Sequence, residues 1–509
     1  MKMHSNTENK EKHPDILGII GDPIGHTLSP LIHGCFGGHA GIDLRYLPFL
    51  VKGERLQDAV RGAYALGIRG LNVTVPHKSA VIPFLADIDP LAAKIGAVNT
   101  LVYDKDGYRG FNTDATGLKR ALEREGVVFE GSRFVILGAG GAGRAAAFLC
   151  ACEGAEDVVI VNRSQEKARM LAEEINSATG SSAVRAVDME SFINELEKSS
   201  RRYIAIQCTS VGLWPDSDKT VTEDPRFFAG LKFAADVIYR PMRTRFLELA
   251  HMAGVPTMGG LSMLLYQAVD AFGLWYPGSE PDEGTIETVM QKLTASLTGG
   301  ENIVLTGFMG SGKSTIARAL AEKLGYDVWD TDEMIEEACG KSINEIFADE
   351  GEGAFRQMET TALTKTGEAL KIRQMETIAL AETGEALKKR DGKTTTESGN
   401  EIGRETERGV ILSTGGGLPV RPENREILKS GDCGRVVYLK ASPRTVIERL
   451  SGDDTRPLLT GSPEEKMVRI EKLMKERDAA YSECADLIVE TDGLTPDEIA
   501  TEILCRICG

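Results

Sequence analysis

Between Arg133 and Ser164 the chain reads RFVILGAGGAGRAAAFLCACEGAEDVVIVNRS. An apolar run meets a glycine-rich turn, an alanine-rich helical stretch follows, and a second apolar run closes the unit. This strand–turn–helix–strand order constrains the chain to an α/β fold. Gly138, Gly140 and Gly143 stand at G-x-G-x-x-G spacing. Glycines there allow a tight turn and let the backbone approach a pyrophosphate at a helix N-terminus. Alone they fit an ordinary strand-to-helix turn. With both strands and the helix in place, dinucleotide binding by Gly138, Ala139, Gly140, Gly141, Ala142 and Gly143 is the better reading. The second strand ends in Asn162, Arg163 and Ser164, about twenty residues after the last glycine, where an NAD enzyme usually carries Asp or Glu. A guanidinium at that place favours the extra phosphate of NADP, against the bland reading of a surface Arg on a loop.

A length of 509 residues predicts two to four domains. A hydrophobic share of 42% and a charged share of 27% describe a soluble globular protein, and no apolar run is long enough to span a bilayer. The start, MKMHSNTENKEKHPD, lacks the apolar segment of a signal peptide and reads as a polar tail, so a cytoplasmic location is expected. The net charge of −17 argues against nucleic acid or an anionic membrane as partner. Small-molecule substrates remain, and a homodimer is compatible with the reading. Nine cysteines form no paired framework and suit a reducing compartment. Cys505 and Cys508 have metal spacing but no second pair, so they read as an apolar helix end. All seven histidines lie at or before His251, so the second half works without histidine.

From about Asp15 to Leu297 the motifs GDPIGHTLSP, NVTVPHK, GAVNT, NTDATG, GAGGAGRA, NRS and GGLSMLLYQA occur in order. In this ordered set the chain resembles the shikimate dehydrogenase family. The resemblance implies reversible, NADP-dependent reduction of 3-dehydroshikimate to shikimate. It assigns Lys78 and Asp114 as the catalytic pair. Hydride delivery to a carbonyl leaves an alkoxide that needs a cation and a proton source, and a carboxylate can orient the lysine. Thr27, Ser29, Asn72, Thr74, Asn99, Tyr239 and Gln267 match the remaining substrate contacts, while Val237 and Gly260 fall at the nicotinamide end. Two positions depart from the family. Thr27 stands for one of its paired serines, which leaves shikimate against quinate open, and Arg245 stands for a proline.

The second half opens on ENIVLTGFMGSGKST, in which Gly307 to Ser314 is G-x-x-x-x-G-K-S between an apolar strand and a helix. This is a P-loop: backbone N–H groups cradle phosphates, Lys313 reaches the β/γ oxygens, and Ser314 ligates Mg²⁺. GFMGSGKST, VWDTDEMIE, AFRQME, ILSTGGG, ERLSGDDTRPLL and KERDAAYSECAD then follow in order, and here the chain resembles the shikimate kinase family. The resemblance implies transfer of a phosphoryl group from ATP to the 3-hydroxyl of shikimate. Gly310, Ser311, Gly312, Lys313, Ser314 and Thr315 would hold ATP, and Asp330 would reach Mg²⁺ through water. Asp332 would hold and help deprotonate the acceptor hydroxyl. Arg356 and Arg477 would clamp the carboxylate, with Gly416 and Gly417 allowing close backbone approach. Arg456 would belong to a lid, and Arg449 would pack on adenine.

The expected organisation is a polar tail at 1–14, a dehydrogenase unit at 15–297 and a P-loop kinase domain at 298–509. Within the dehydrogenase unit, substrate-binding parts are expected near 15–115 and 250–290, and a Rossmann NADP domain near 116–249. The kinase domain would carry an insertion near 372–408. FRQMETTALTKTGEALK, starting at Phe355, is followed at once by IRQMETIALAETGEALK, starting at Ile372, and the two agree at 13 of 17 positions. Two copies are too few for a solenoid. Arg356 keeps the family context EGAFRQME, whereas Arg373 belongs to the added copy. The two copies fit either one continuous helix or, given Gly367, Gly384 and the polar run that follows, a helix broken after the first copy. Together the resemblances imply a bifunctional enzyme of aromatic amino-acid biosynthesis. One alternative is a quinate/shikimate dehydrogenase with an inactive or regulatory kinase-like domain. The other is a sensor or repressor built from decayed copies, against which Lys78, Asp114, Lys313 and Asp332 all stand.

Overall fold

A computed structural model describes residues 13–25, 27–390, 409–450 and 463–508, with the backbone alone described over 373–390. Two compact units divide the chain between Leu293 and Thr294.

The first unit holds two six-stranded sheets. One runs in the spatial order Leu44–Leu50, Asp15–Gly21, Gly70–Val73, Thr100–Asp104, Gly107–Phe111 and Asp87–Ile88. Its first three strands are parallel, and Thr100–Asp104 turns antiparallel against Gly70–Val73. The helix Gly260–Trp275 packs against this sheet, where Trp275 Nε1 donates to the Leu101 carbonyl over 2.9 Å. Glycine is required opposite it: a Cβ on Gly70 would lie 2.1 Å from the same nitrogen. A second close approach joins Gly260–Trp275 to the helix Thr113–Arg124, since a Cβ on Gly117 would lie 2.5 Å from Gln267 N. That contact brings Asp114 and Gln267 onto neighbouring helices.

The other sheet runs Thr257–Met258, Leu231–Asp236, Tyr203–Gln207, Arg133–Leu137, Asp157–Val161 and Val184–Ala186, parallel throughout. Its strands are near-continuous apolar runs because helices cover both faces. Phe192, Phe227, Phe228 and Phe246 fill one side of its core. Strand order reverses between Arg133–Leu137 and Tyr203–Gln207, which is where open α/β sheets bind ligands.

The second unit is a five-stranded parallel sheet in the order Asp327–Asp330, Val410–Ser413, Ile303–Thr306, Arg435–Lys440 and Leu487–Glu490. Its central strand, Ile303–Thr306, is buried along its length and feeds the helix Lys313–Leu324. A 40-residue helix, Gly351–Arg390, carries both repeat copies. Of the two arrangements the continuous helix is the one found, and the break after the first copy is not: the helix runs through Gly367. That glycine serves contact, because a Cβ there would lie 3.2 Å from Cys433 Sγ. The first copy buries Phe355, Leu363 and Leu370. Most of the expected polar tail, the run 391–408 and Arg456 lie outside the described residues.

Candidate active sites

A cleft of about 430 Å³ lies between the two sheets of the first unit. Thr27, Ser29, Asn72, Thr74, Lys78, Asn99, Asp114, Tyr239 and Gln267 all line it, as do Ala142, Val237 and Gly260. Lys78 Nζ donates to Asp114 Oδ2 over 2.7 Å, and the two side chains are only 20% and 10% exposed. Asp114 sits in the first turn of its helix, where the N-terminal dipole favours a carboxylate and the Asn112 side chain caps the backbone. The amides are fixed by neighbours. Tyr46 donates to Asn72 Oδ1 over 2.6 Å, and Asn72 Nδ2 donates to the Asn99 carbonyl over 3.2 Å. Asn99 Oδ1 accepts from Thr113 N over 2.7 Å. Thr27 Oγ1 donates to Ser29 Oγ over 3.1 Å, and Gln267 Nε2 to the Leu264 carbonyl over 2.8 Å. Burial pushes the Tyr239 phenol up, which keeps it a donor.

The far wall belongs to the parallel sheet. A Cβ on Gly260 would lie 2.2 Å from the Val237 carbonyl, so only glycine fits. Beneath this loop Asp236 accepts from Ile238 N over 2.9 Å and from Thr244 Oγ1 over 2.6 Å. Burial pushes the Asp236 carboxyl up to about 7. At the glycine-rich turn a Cβ on Gly143 would lie 2.0 Å from the Gly138 carbonyl, whereas nothing lies within 4 Å of one built on Gly140. The turn is thus tight on its inner side and open where a pyrophosphate would approach. Asn162 Oδ1 accepts from Ala139 N over 3.3 Å, and Ser164 caps the next helix. Arg163 stands exposed beside them, and Lys78 Cδ lies 3.8 Å from a Cβ built on Gly141. The cofactor turn and the catalytic pair therefore face one space.

In the second unit Gly307, Gly310 and Gly312 have φ of 148°, 75° and 95°, the left-handed region that glycine alone enters freely. Lys313 Nζ donates to the carbonyls of Gly307 and Phe308 over 3.0 and 3.2 Å. Ser314 Oγ donates to Asp330 Oδ2 over 3.2 Å, while Asp330 Oδ1 accepts from Asp332 N over 2.9 Å. Ser311 Oγ is buried without a hydrogen-bond partner, a polar atom left over in a loop shaped for an anion. Thr315 is exposed beside Ser314. Arg449 spends its donors on the Ser311 carbonyl, 3.0 Å, and on Thr491, so it braces the loop.

Around the glycine run after Val410–Ser413 the chain gathers a second cluster. A Cβ on Gly415 would lie 2.6 Å from Glu359 Oε1 and 2.7 Å from Asp332 Oδ1, and one on Gly417 would lie 1.9 Å from Arg356 Nη1. Arg356 Nη1 donates to Glu359 Oε2 over 2.8 Å. Burial pushes the Glu359 carboxyl up, against the lowering effect of Arg356. Arg477 Nη1 donates to the Gly416 carbonyl over 3.4 Å, and the Tyr481 hydroxyl donates to the same oxygen. Asp332, Arg356, Arg477, Gly416 and Gly417 thus meet in one place.

Both units resemble known proteins. Over residues 19–101 the chain matches the family model "Shikimate dehydrogenase substrate binding domain", and over 120–200 "Shikimate / quinate 5-dehydrogenase". The shikimate dehydrogenase (NADP⁺) of Methanothermobacter thermautotrophicus is 43% identical over 278 residues, which is 55% of this chain and 96% of that relative. The chain belongs to the shikimate dehydrogenase family. The Methanopyrus kandleri relative of the same name is also 43% identical, over 284 residues, with 55% of this chain and 96% of the relative covered. A solved shikimate dehydrogenase in complex with NADP⁺ is 34% identical at a TM-score of 0.50, covering 54% of this chain and 94% of that one. Quinate dehydrogenase from Corynebacterium glutamicum in complex with NAD is 30% identical, also at 0.50, covering 54% and 98%. The second unit matches the family model "Shikimate kinase" over 309–372 and 393–508. The matches to both families support a bifunctional shikimate-pathway enzyme.

Beyond the shikimate dehydrogenase motifs, the structure adds residues that sequence reasoning did not single out. Leu213, Trp214, Arg240 and Met263 line the first cleft. Glu359 and Tyr481 join the second cluster, and both lie inside quoted motifs, AFRQME and KERDAAYSECAD. Helical spacing three residues after Arg356 was the available signal for Glu359. The stretch 373–392, unmatched between the two shikimate kinase segments, holds nearly all of the second repeat copy.

Proposed function

We propose that the first unit reduces 3-dehydroshikimate to shikimate with NADPH and that the second phosphorylates shikimate to shikimate 3-phosphate with ATP. The observation that carries the reading is the Lys78–Asp114 pair, 2.7 Å apart in a cleft shared with the glycine-rich turn. NADPH supplies a hydride when bound. The residues that would hold it are Gly138 to Gly143, Asn162, Arg163 and Ser164, with Val237 and Gly260 at its reactive end. Lys78 offers a positive charge and a proton at Nζ to the oxygen on which charge develops, and Asp114 holds that ammonium in place. Thr27, Ser29, Asn72, Thr74, Asn99, Tyr239 and Gln267 present the hydroxyls and amides that a polyol carboxylate needs.

In the second unit ATP with Mg²⁺ supplies the phosphoryl group when bound. The left-handed glycines and the unpartnered Ser311 hydroxyl fit a phosphate cradle, with Gly310 to Thr315 holding the nucleotide and Ser314 and Asp330 nearest the metal. Arg449 braces the phosphate loop from behind, with its guanidinium face left for adenine, and Arg456, outside the described residues, would belong to a lid. Asp332 accepts the hydroxyl proton of the acceptor, and Arg356 and Arg477 hold its carboxylate. The protein acts in the cytoplasm. Purified chain given 3-dehydroshikimate, NADPH and ATP–Mg²⁺ should yield shikimate and then shikimate 3-phosphate, each measured separately. Thr27, with its extra methyl, favours testing a second reading. Faster oxidation of quinate with NAD than of shikimate with NADP⁺ would replace the first half of the proposal.

A further inference from the structure

Two side chains of the first cleft have no part in the reaction above. The guanidinium carbon of Arg240 lies 5.1 Å from the ring centroid of Trp214. Trp214 N donates to the Arg240 backbone carbonyl over 3.2 Å, so the two loops are joined as well as stacked. Both residues line the cleft with Leu213. Trp214 nonetheless leaves 49% of its surface in water, and Leu213 43%. A large ring and a cation at a cleft mouth offer an apolar face and a positive charge to whatever enters.

Position in the sheet selects the occupant. The Trp214 loop leaves the strand Tyr203–Gln207, the immediate neighbour of Arg133–Leu137 at the order reversal. At its root, Thr209 Cγ2 lies 2.8 Å from the Cβ position of Gly138, so the loop springs from beside the glycine-rich turn. Arg240 ends the segment that begins at Val237, whose carbonyl abuts Gly260. Most hydroxyls and amides for the substrate, among them Ser29, Asn72 and Asn99, come from the opposite sheet or from the chain beside it, and Tyr239 alone of them shares the Val237–Arg240 segment. A flat base, a ribose and a phosphate together present an apolar face and an anion, which is what the indole and guanidinium complement.

We propose that Trp214 and Arg240 form a stacked clamp for the nicotinamide–ribose–phosphate half of the dinucleotide. The proposal rests on the reading of the first unit as an NADPH-dependent reductase. In calorimetry on the full chain, Trp214→Ala and Arg240→Ala should each weaken NADPH by about 10-fold, and the KM for NADPH should rise in step. The KM for 3-dehydroshikimate and kcat should stay within about 2-fold. Adenosine 2′,5′-bisphosphate, which lacks the nicotinamide half, should bind wild type and both single alanine variants alike. Trp214→Phe keeps a ring and should remain within about 3-fold of wild type, and the double alanine variant should lose little more than either single one, as for a unit. A rise confined to the KM for 3-dehydroshikimate would hand the pair to the substrate and overturn the clamp, as would unchanged NADPH affinity. Wild type that binds NADPH but reduces nothing would defeat the reductase reading alone, since the calorimetric comparison still decides the clamp. Wild type that binds no NADPH would overturn both.

Discussion

Lys78 and Asp114 lie 36 positions apart and meet at 2.7 Å because the turn after the strand Gly70–Val73 and a helix start converge on one cleft. Lys78→Ala should lower kcat by about 10²-fold or more with a far smaller change in substrate KM, as expected for a group used in the transition state. Steady-state kinetics at saturating NADPH check this; loss of affinity alone would make Lys78 an anchor. Asp236 permits a second test. Its carboxyl is held near 7 by burial against an ordinary 3.8, so the folded form keeps its proton to higher pH than the unfolded form. Stability from this group is complete at low pH and is lost as pH rises through that window. Asp236→Asn does not titrate, so its stability relative to wild type should climb between about pH 4 and 7, by at most ~4 kcal/mol, and then level off. Urea unfolding of the first unit across that range measures it, and a flat difference would contradict the shift. At this scale Lys78, Asp114 and the amides were legible in short motifs. Trp214 and Arg240 were not, because their meeting depends on two loops from separate strands and leaves no local pattern.

The helix Gly351–Arg390 shows what sequence could and could not say about an element. Its helical character follows from long runs of Ala, Leu, Glu and Lys. The break weighed after the first copy does not occur, and Gly367 answers a contact with Cys433 made across the fold. Propensity sees a breaker; packing sees a close approach that leaves little room for a Cβ. Continuity also sets the repeat copies apart in space. An offset of 17 residues carries Arg373 roughly 25 Å along the axis and turns it by about 100°, away from where Arg356 meets Glu359 and Gly417. Arg356→Ala should therefore remove most kinase activity and Arg373→Ala almost none. Deletion of Ile372 to Lys388 should leave an active kinase. These are read by coupled ADP-release assays with shikimate as acceptor, and damage from Arg373→Ala alone would reverse the roles of the copies.

For the whole molecule, the two α/β units were legible because each opens its nucleotide site with a glycine-rich turn between a strand and a helix, a signal carried within about fifteen residues. The sheet orders were not, since pairing between distant strands has no such local mark. Separate nucleotide turns predict separable activities. Lys313→Ala should abolish shikimate 3-phosphate formation while reduction of 3-dehydroshikimate continues at the wild-type rate, both followed in one preparation. A parallel fall in reduction by a folded variant would mean the units are coupled. The central strand Ile303–Thr306 carries one more consequence, for biosynthesis. Its neighbours, Val410–Ser413 and Arg435–Lys440, come later in the chain, after the entire helix Gly351–Arg390. At ~5–20 residues per second on the ribosome, that strand waits roughly 5–20 s for its first partner. Throughout the wait its unpaired backbone N–H and C=O groups, and the side chains of Ile303, Val304 and Leu305, are open to chaperones and to other nascent chains, while the residues of the first unit, which reach Leu293, are already made.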